Sequence, residues 1–447
     1  MHQQKIIEVN IDSLVGPSHF YSGLAYGNLA AMKHKGMLSS PKKAALEGLN
    51  KMKTIMDLGL PQLVMPPPER PCIETIRKLG FTGNEEHCLK KAYNTNKNLL
   101  LACSSASNMW MANSATVSPS TDTSNHKNYL SIANLSSQFH RSLETDFTHT
   151  LFKRVFHQTN MTILPPLPNP LTDEGAANHL RVSYEHQQQG INMFVYGRES
   201  LNYPRSAHEK YPFRQSLEAS QAIARLHHLK PETLIFAQQH PEAVQKGAFH
   251  ADVLMLSHRY VLICHEKSLK QQRQVLHELR SKVRQTCQIM PIIIEITEEE
   301  LSLEEAIATY FFNSQLLSLP NNEWVLVVPR QCQENTKVLR LIQRILAGRN
   351  PIKNCIYVSV DQSMYNGGGP ACLRLRMNLS MNEWNKVHQG VKLNNHLYHQ
   401  LCQWICTHYR DILTEKDLIS PKFIRECRDA LSDLTGILKL DGIYSFK

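Results

Sequence analysis

Along the second half of the chain the period of the hydrophobic positions changes repeatedly, from strand-like to helical and back. In "FHADVLMLSHRYVLICH" (249–265) two short apolar runs flank a polar break at His258–Tyr260, which predicts two strands joined by a tight turn. In "KSLKQQRQVLHELRSKVRQ" (267–285), Leu269, Val275, Leu276, Leu279 and Val283 mark one face of an amphipathic helix. "IMPIIIEI" then predicts a buried strand. A short helix near 301–309, a hairpin ending in "EWVLVVP", a helix near 334–347, the strand "CIYVSV" and the strand "ACLRLRMNL" follow. The unit is hairpin, helix, strand, repeated. A weaker version comes earlier, with "LSIANL" as strand, "SLETDFTHTLFKRVF" as helix and "MFVYG" as strand. Repetition on this scale predicts one symmetric α/β assembly rather than separate domains. The tail, 394–438, predicts helices packed on the outside. The stretches 165–175 and 198–214 predict long surface loops, which inside compact domains are often functional.

The 447 residues hold 42% hydrophobic and 20% charged side chains, an ordinary globular balance. No apolar run reaches membrane-spanning length, and "MHQQKIIEVNIDSL" has no signal-peptide core, so the expected location is the cytoplasm. Eleven cysteines with no CxxC pair predict free thiols in a reducing compartment. Cys402 and Cys406, near His408, have the spacing of half a metal site, but no partner pair follows; one helical face is the simpler reading. The net charge of +10 is dispersed and carries no nucleic-acid motif. It fits either a mildly basic surface or a basic pocket for a small anion.

The chemistry concentrates in a few stretches. "MYNGGGPACLRLRM" (364–377) places three of only 19 glycines just ahead of Cys372. Such a loop can expose a sulfur and aim backbone N–H groups at it, which makes Cys372 a candidate nucleophile; a small buried residue opening a strand is the alternative. "GAFHADV" places His250 and Asp252 at i and i+2, on one face of an expected strand, for proton transfer and cation binding or as a solvated edge. In "LTDEGAANHLR", Asp173 and Glu174 precede small residues that let a carboxylate approach a ligand, while Asp173 also suits a helix N-cap. "SHFYSGLAYGN" (18–28) is an uncharged, Gly-bearing loop that suits a lid. "MWMANSA" carries Asn113, "QFHRS" carries His140 and Arg141, and "YPFRQS" carries Arg214. Two arginines suit a dicarboxylate through paired hydrogen bonds, although each alone reads as a surface residue.

Together these stretches resemble the N-succinylarginine dihydrolase family of the guanidine-modifying (pentein) superfamily. The resemblance rests on "VGPSHFYSGLAYGN", "PPPERP", "SSASNMWMANSATVSPSTDT", "FHRSLE", "DEGAANH", "FVYGRE", "IFAQQHP", "FHADV", "TYFFNSQLLS" and "NGGGPACLRLR", in order over nearly the whole chain. It implies the pentein fold, a five-bladed pseudo-fivefold α/β propeller with a central active site, formed by a single domain over 1–447. It implies a catalytic Glu174, His250 and Cys372. It implies substrate contacts at Ser22, Gly23, Leu24, Ala25, Tyr26, Gly27, Asn28, Leu29, Ala30 and Ala31, and at Asn113, His140, Arg141, Arg214, Asp252 and Asn366. The implied reaction hydrolyses N-succinylarginine through a covalent amidino-thioether on Cys372, with no metal or organic cofactor. Asp252, with Glu174, would hold the guanidinium. A homodimer is implied; nucleic acid and membrane are not. The same residues also fit a deiminase or amidinotransferase of the superfamily, or a non-catalytic binder of acylated arginine.

Overall fold

The computed structural model describes residues 5–201 and 210–446. The part of the expected loop 198–214 at 202–209 lies outside the described residues. Among the described residues the strands are β1 (Ile6–Ser13), β2 (Gln62–Met65), β3 (Ala115–Ser118), β4 (Asn128–Ile132), β5 (Met161–Leu164), β6 (His179–Val182), β7 (Ile191–Tyr196), β8 (Leu234–Gln238), β9 (Met255–His258), β10 (Val261–His265), β11 (Ile292–Ile296), β12 (Gln315–Ser318), β13 (Trp324–Pro329), β14 (Ile352–Val358) and β15 (Arg374–Ser380). They form five three-stranded sheets of one design: an antiparallel pair, then a third strand parallel to the second. Four are consecutive in sequence, β3-β4-β5, β6-β7-β8, β9-β10-β11 and β12-β13-β14. The fifth, β15-β1-β2, closes the ring. Here β15 pairs antiparallel with β1 from Ile6↔Ser380 to Asp12↔Arg374, so the last strand takes the inner place in the first unit. This is the expected five-unit pentein architecture.

A parallel neighbour cannot be reached by a tight turn, so each unit crosses through a helix. These are Pro41–Asp57, Thr145–Val155, Leu217–Leu226, Gln272–Cys287 and Thr336–Ala347. The last shows why such segments fold this way. Asn335 caps its first turn, accepting from the Lys337 and Val338 N–H groups, and Val338, Leu341, Ile342 and Ile345 bury one face at helical spacing. Middle strands such as β10 and β13 are buried along their whole length. The "IMPIIIEI" strand is not: β11 is half-buried and Glu295 is exposed. It is an outer strand with one sheet neighbour, so part of it meets solvent.

The inner strands face the axis. Val117, Leu180, Leu256, Leu316 and Met377, one from each sheet, line an axial cavity of about 130 Å³ that ends against Asp252 and Ala371. The turns leading into these strands therefore meet at one end of the axis. The tail helices, Asn395–His408 and Pro421–Leu438, lie outside the ring but belong to its main core through Leu401, Trp404, Leu431 and Leu434. Cys402 is half-buried and Cys406 exposed on the first of them, and all eleven cysteines are free. No helix of the described residues is long and apolar enough to cross a membrane.

Candidate active site

Each candidate triad residue sits in a lead-in to an inner strand. Glu174 precedes a short 3-10 turn, Gly175–Asn178, that runs straight into β6. His250 precedes the equivalent turn, Ala251–Val253, ahead of β9. The expected strand at His250 and Asp252 is thus a turn instead. Its cause is a side chain: Asn178 Oδ1 accepts the Ala251 N–H at 2.9 Å, and the chain tightens through Leu254 N–H to Ala251 O at 3.0 Å. Instead of sharing one face, the two side chains reach different partners. His250 meets Glu174, and Asp252 meets Cys372. Asp173 does not cap a helix over "EGAANHL" but the 3-10 turn, accepting from the Gly175 N–H at 3.2 Å.

Glu174 is fully buried and fully engaged. Its Oε2 accepts from His250 Nε2 at 2.7 Å and from Arg141 Nη1 at 2.5 Å, and its Oε1 accepts from Ser137 Oγ. Burial opposes its charge, but Arg141 and His250 outweigh it and hold the carboxyl well below its usual range. Burial lowers His250 as well, to about 4, because it disfavours the imidazole's charged form. A neutral imidazole that donates through Nε2 leaves Nδ1 as its acceptor, and Nδ1 is buried without a partner.

Cys372 opens the segment into β15 and is 3% exposed. Its Sγ lies 3.4 Å from Asp252 Oδ2 and accepts from Asn313 Nδ2 at 3.1 Å. Burial, then the Asp252 carboxylate, pushes the thiol well above its ordinary pKa. Asp252 is itself pushed up to about 7 by burial, and its Oδ1 has no partner. The glycine run earns its place sterically. Gly367 has φ +105°, and a Cβ there would lie 2.1 Å from Asn28 Nδ2. A Cβ on Gly368 would lie 2.3 Å from the Trp110 ring. Asn366 is half-buried at the end of the helix Asp361–Tyr365, immediately before this run.

Arg141 and Arg214 are buried, not surface residues, at 3% and 2% exposure. Arg141 keeps Nη2 without a partner. Arg214 lies 4.6 Å above the Phe249 ring, donates Nη2 to Tyr26 O at 2.9 Å and keeps Nε unpartnered. Burial lowers it to about 10, against the opposing pull of the Glu174 carboxylate. His140 is buried beside them and pushed down to about 3 by burial and Arg141. Asn113 Nδ2 donates to Glu174 O at 2.9 Å.

The access loop is fastened across these groups. Asn28 Nδ2 donates to Gly367 O at 2.7 Å, and Arg214 holds the Tyr26 carbonyl. Ser22 is buried, Gly23, Leu24 and Ala25 are half-buried, and Tyr26 is exposed ahead of buried Gly27. From Leu29 the segment is helix, Leu29–Lys33, capped by Asn28 and including Ala30 and Ala31.

Sequence reasoning missed Asn313, which holds both the backbone and the sulfur of Cys372. The available signal was an internal echo: "NSATVS", "NHLRVS", "DVLMLS" and "NSQLLS" each open an inner strand. Away from this site, and among the described residues, Glu8, His186 and His258 have metal-ligand spacing. Arg376 Nη1 lies 3.1 Å from His258 Nδ1 and 3.7 Å from Glu8, so a cation there would face a guanidinium, and the cluster reads as an ion-pair network.

Comparison with known proteins places the chain. A family model described as succinylarginine dihydrolase matches residues 5–447. An N-succinylarginine dihydrolase from Pseudomonas syringae pv. tomato is 43% identical over 448 residues, covering 99% of each chain. Among solved structures, the N-terminal domain of ArgZ, an arginine dihydrolase from the ornithine-ammonia cycle in cyanobacteria, aligns with a TM-score of 0.50 at 13% identity. That alignment covers 83% of this chain and 97% of the other. Unliganded AgrE gives a TM-score of 0.50 at 13% identity over 87% of this chain and 41% of its own. These two similarities bear on the fold.

Proposed function

The chain belongs to the succinylarginine dihydrolase family, and from that premise we propose how its buried constellation performs the reaction. The protein hydrolyses N2-succinyl-L-arginine with two waters to N2-succinyl-L-ornithine, two ammonia and carbon dioxide, a step of arginine catabolism. The observation that carries the mechanism is the 3.4 Å contact of Cys372 Sγ with Asp252 Oδ2, opposite the Glu174–His250 pair.

A guanidinium is a poor electrophile because its charge is delocalised. Asp252 binds it and fixes its plane against the sulfur. In the free enzyme the thiol is protonated. The arriving cation lowers the pKa of both Asp252 and Cys372, so the nucleophile forms when its target is in place. The thiol proton passes to His250 Nδ1, Cys372 attacks the central carbon, and His250 returns the proton to the departing ammonia. Glu174 fixes the imidazole tautomer and stabilises its cation throughout. His250 then activates water against the amidino-thioether, which releases the ureido intermediate. A second round of attack, ammonia loss and hydrolysis leaves a carbamate on the amine, which loses carbon dioxide.

The succinyl carboxylates fit the unpartnered Arg141 Nη2 and Arg214 Nε, with His140, Asn113 and Asn366 lining the site. The loop Ser22–Ala31 covers it and retains the neutral intermediate. The chain acts as a single domain over 1–447, in the cytoplasm, as a homodimer, with no metal or organic cofactor. The test is ammonia released per succinylarginine consumed. The reading expects two. One ammonia with accumulating succinylcitrulline would make the protein a deiminase, and none would leave a transferase or a binding protein.

A further inference from the structure

The turns at the end of the axis carry a repeated position. Asn113, Asn178, Asp252 and Asn313 each stand five residues ahead of a serine, Ser118, Ser183, Ser257 and Ser318, and Cys372 stands five ahead of Met377. Three of the five are asparagines, and each grips the next turn around the axis. Asn113 Nδ2 donates to Glu174 O at 2.9 Å, Asn178 Oδ1 accepts the Ala251 N–H at 2.9 Å, and Asn313 Oδ1 accepts the Cys372 N–H at 3.0 Å. The two positions that break the pattern are Asp252 and Cys372.

Asn313 does one thing the other asparagines do not. With its oxygen on the Cys372 backbone, its Nδ2 lies 3.1 Å from Cys372 Sγ. The carboxamide is held on every side. Asn313 is fully buried, its Nδ2 also donates to the Asp252 main-chain oxygen at 3.4 Å, a Cβ on Gly369 would lie 3.0 Å from its Oδ1, and its own main-chain oxygen accepts the Ala371 N–H at 3.0 Å. Turning the amide over would remove both contacts with Cys372, so the N–H stays aimed at the sulfur.

We infer that Asn313 is a positioning residue for the reaction: its carboxamide fixes the Cys372 side chain and stabilises the thiolate. The inference rests on the reading of Cys372 as nucleophile. Its physical basis is that burial and Asp252 both oppose an anion at the sulfur, whereas a donor that cannot rotate away favours it.

The test is the pH dependence of Cys372 alkylation by iodoacetamide, read by mass spectrometry at that cysteine, beside kcat and KM. Asn313→Asp preserves an acceptor for the Cys372 N–H but removes the donor to sulfur. The alkylation midpoint should rise by roughly one unit or more. At neutral pH kcat should fall about tenfold per unit and recover as pH is raised, with KM little changed. Asn313→Ser should shift the midpoint in the same direction. Asn113→Ser, which loosens the equivalent staple on Glu174, away from the Asp252 turn, should leave the midpoint at its wild-type value. An unmoved midpoint in both Asn313 variants, or an equal shift in Asn113→Ser, would overturn the inference. Should Asn313→Asp not fold, the two serine variants decide between these outcomes. A wild-type protein that turns over with Cys372 fully alkylated would instead overturn the nucleophile reading, an outcome visible before any variant is made.

Discussion

Glu174 and Asp252 are two carboxylates in one site, the first fully buried and the second half-buried, and they are held in opposite states. Glu174 lies well below the ordinary carboxylate range, and Asp252 is raised to about 7. Burial pushes both upward, so burial does not explain the difference. Partners do. Glu174 faces Arg141, His250 and Ser137, while Asp252 faces a thiol and keeps one oxygen unpartnered. One carboxylate is permanently charged and orients a histidine. The other gains its charge most readily when a cation arrives. The site thus separates a fixed pole from a responsive one.

The largest expected effect comes from removing the fixed pole. Glu174→Gln should lower kcat by roughly 10³-fold, because His250 loses both its orientation and the anion that stabilises its protonated form. It should also strand Arg141 as an unpaired buried cation, at a cost of about 3–5 kcal/mol in a denaturant melt. Full stability in this variant would break the comparison from the Glu174 side.

Asp252→Asn should lower kcat/KM by roughly 10²-fold, with the opposite effect on stability. The folded pKa of Asp252 is raised from 3.8 to about 7, so the native state holds this proton more tightly than the unfolded chain. Stability from that group is present at low pH and is lost as pH rises toward 7. The variant should therefore melt higher than wild type at pH 8. In wild type, kcat/KM should fall with one-proton slope below about pH 7, as the carboxylate that binds guanidinium is neutralised. That acid limb should be absent in Asp252→Asn. An unchanged limb would assign it to another group.

A smaller effect follows at the arginines. Arg214→Ala should raise KM for succinylarginine about tenfold, and free arginine should be a very poor wild-type substrate. Equal kcat/KM for the two substrates would remove the carboxylate contacts from the account. The smallest effect concerns the loop. Gly23 has φ +63°, and a Cβ there would lie 2.7 Å from Lys35 Cβ. Gly23→Val should loosen the cover, so that some succinylcitrulline escapes and ammonia per substrate drops below two. A slower variant that still releases two would confine the loop to gating access.

The unit rhythm was legible wherever helix and strand periods alternate cleanly, from β9 to β15. It was faint in the first half, where the pairs β3–β4 and β6–β7 are separated by the longer loops 119–127 and 183–190, so that no tight turn marks them as hairpins. Cys372 was legible because three glycines precede it. His250 and Asp252 were recognised, but their geometry was not: the turn that separates them is set by Asn178, seventy-odd residues away in sequence. Buried charge was equally hidden. Lys51, in the polar-looking "EGLNKMK" of the first crossover helix, is 1% exposed and donates to Asp12 at 2.5 Å. Tertiary hydrogen bonds of this kind leave no periodicity in the sequence.

The most direct test is acid quench of wild-type protein during turnover of N-succinylarginine, with peptide mapping by mass spectrometry. The account predicts one adduct, on Cys372, heavier by the mass of substrate less one ammonia, and its absence in Cys372→Ser together with turnover. An adduct on another cysteine, or a Cys372→Ser variant with near-normal turnover, would contradict it.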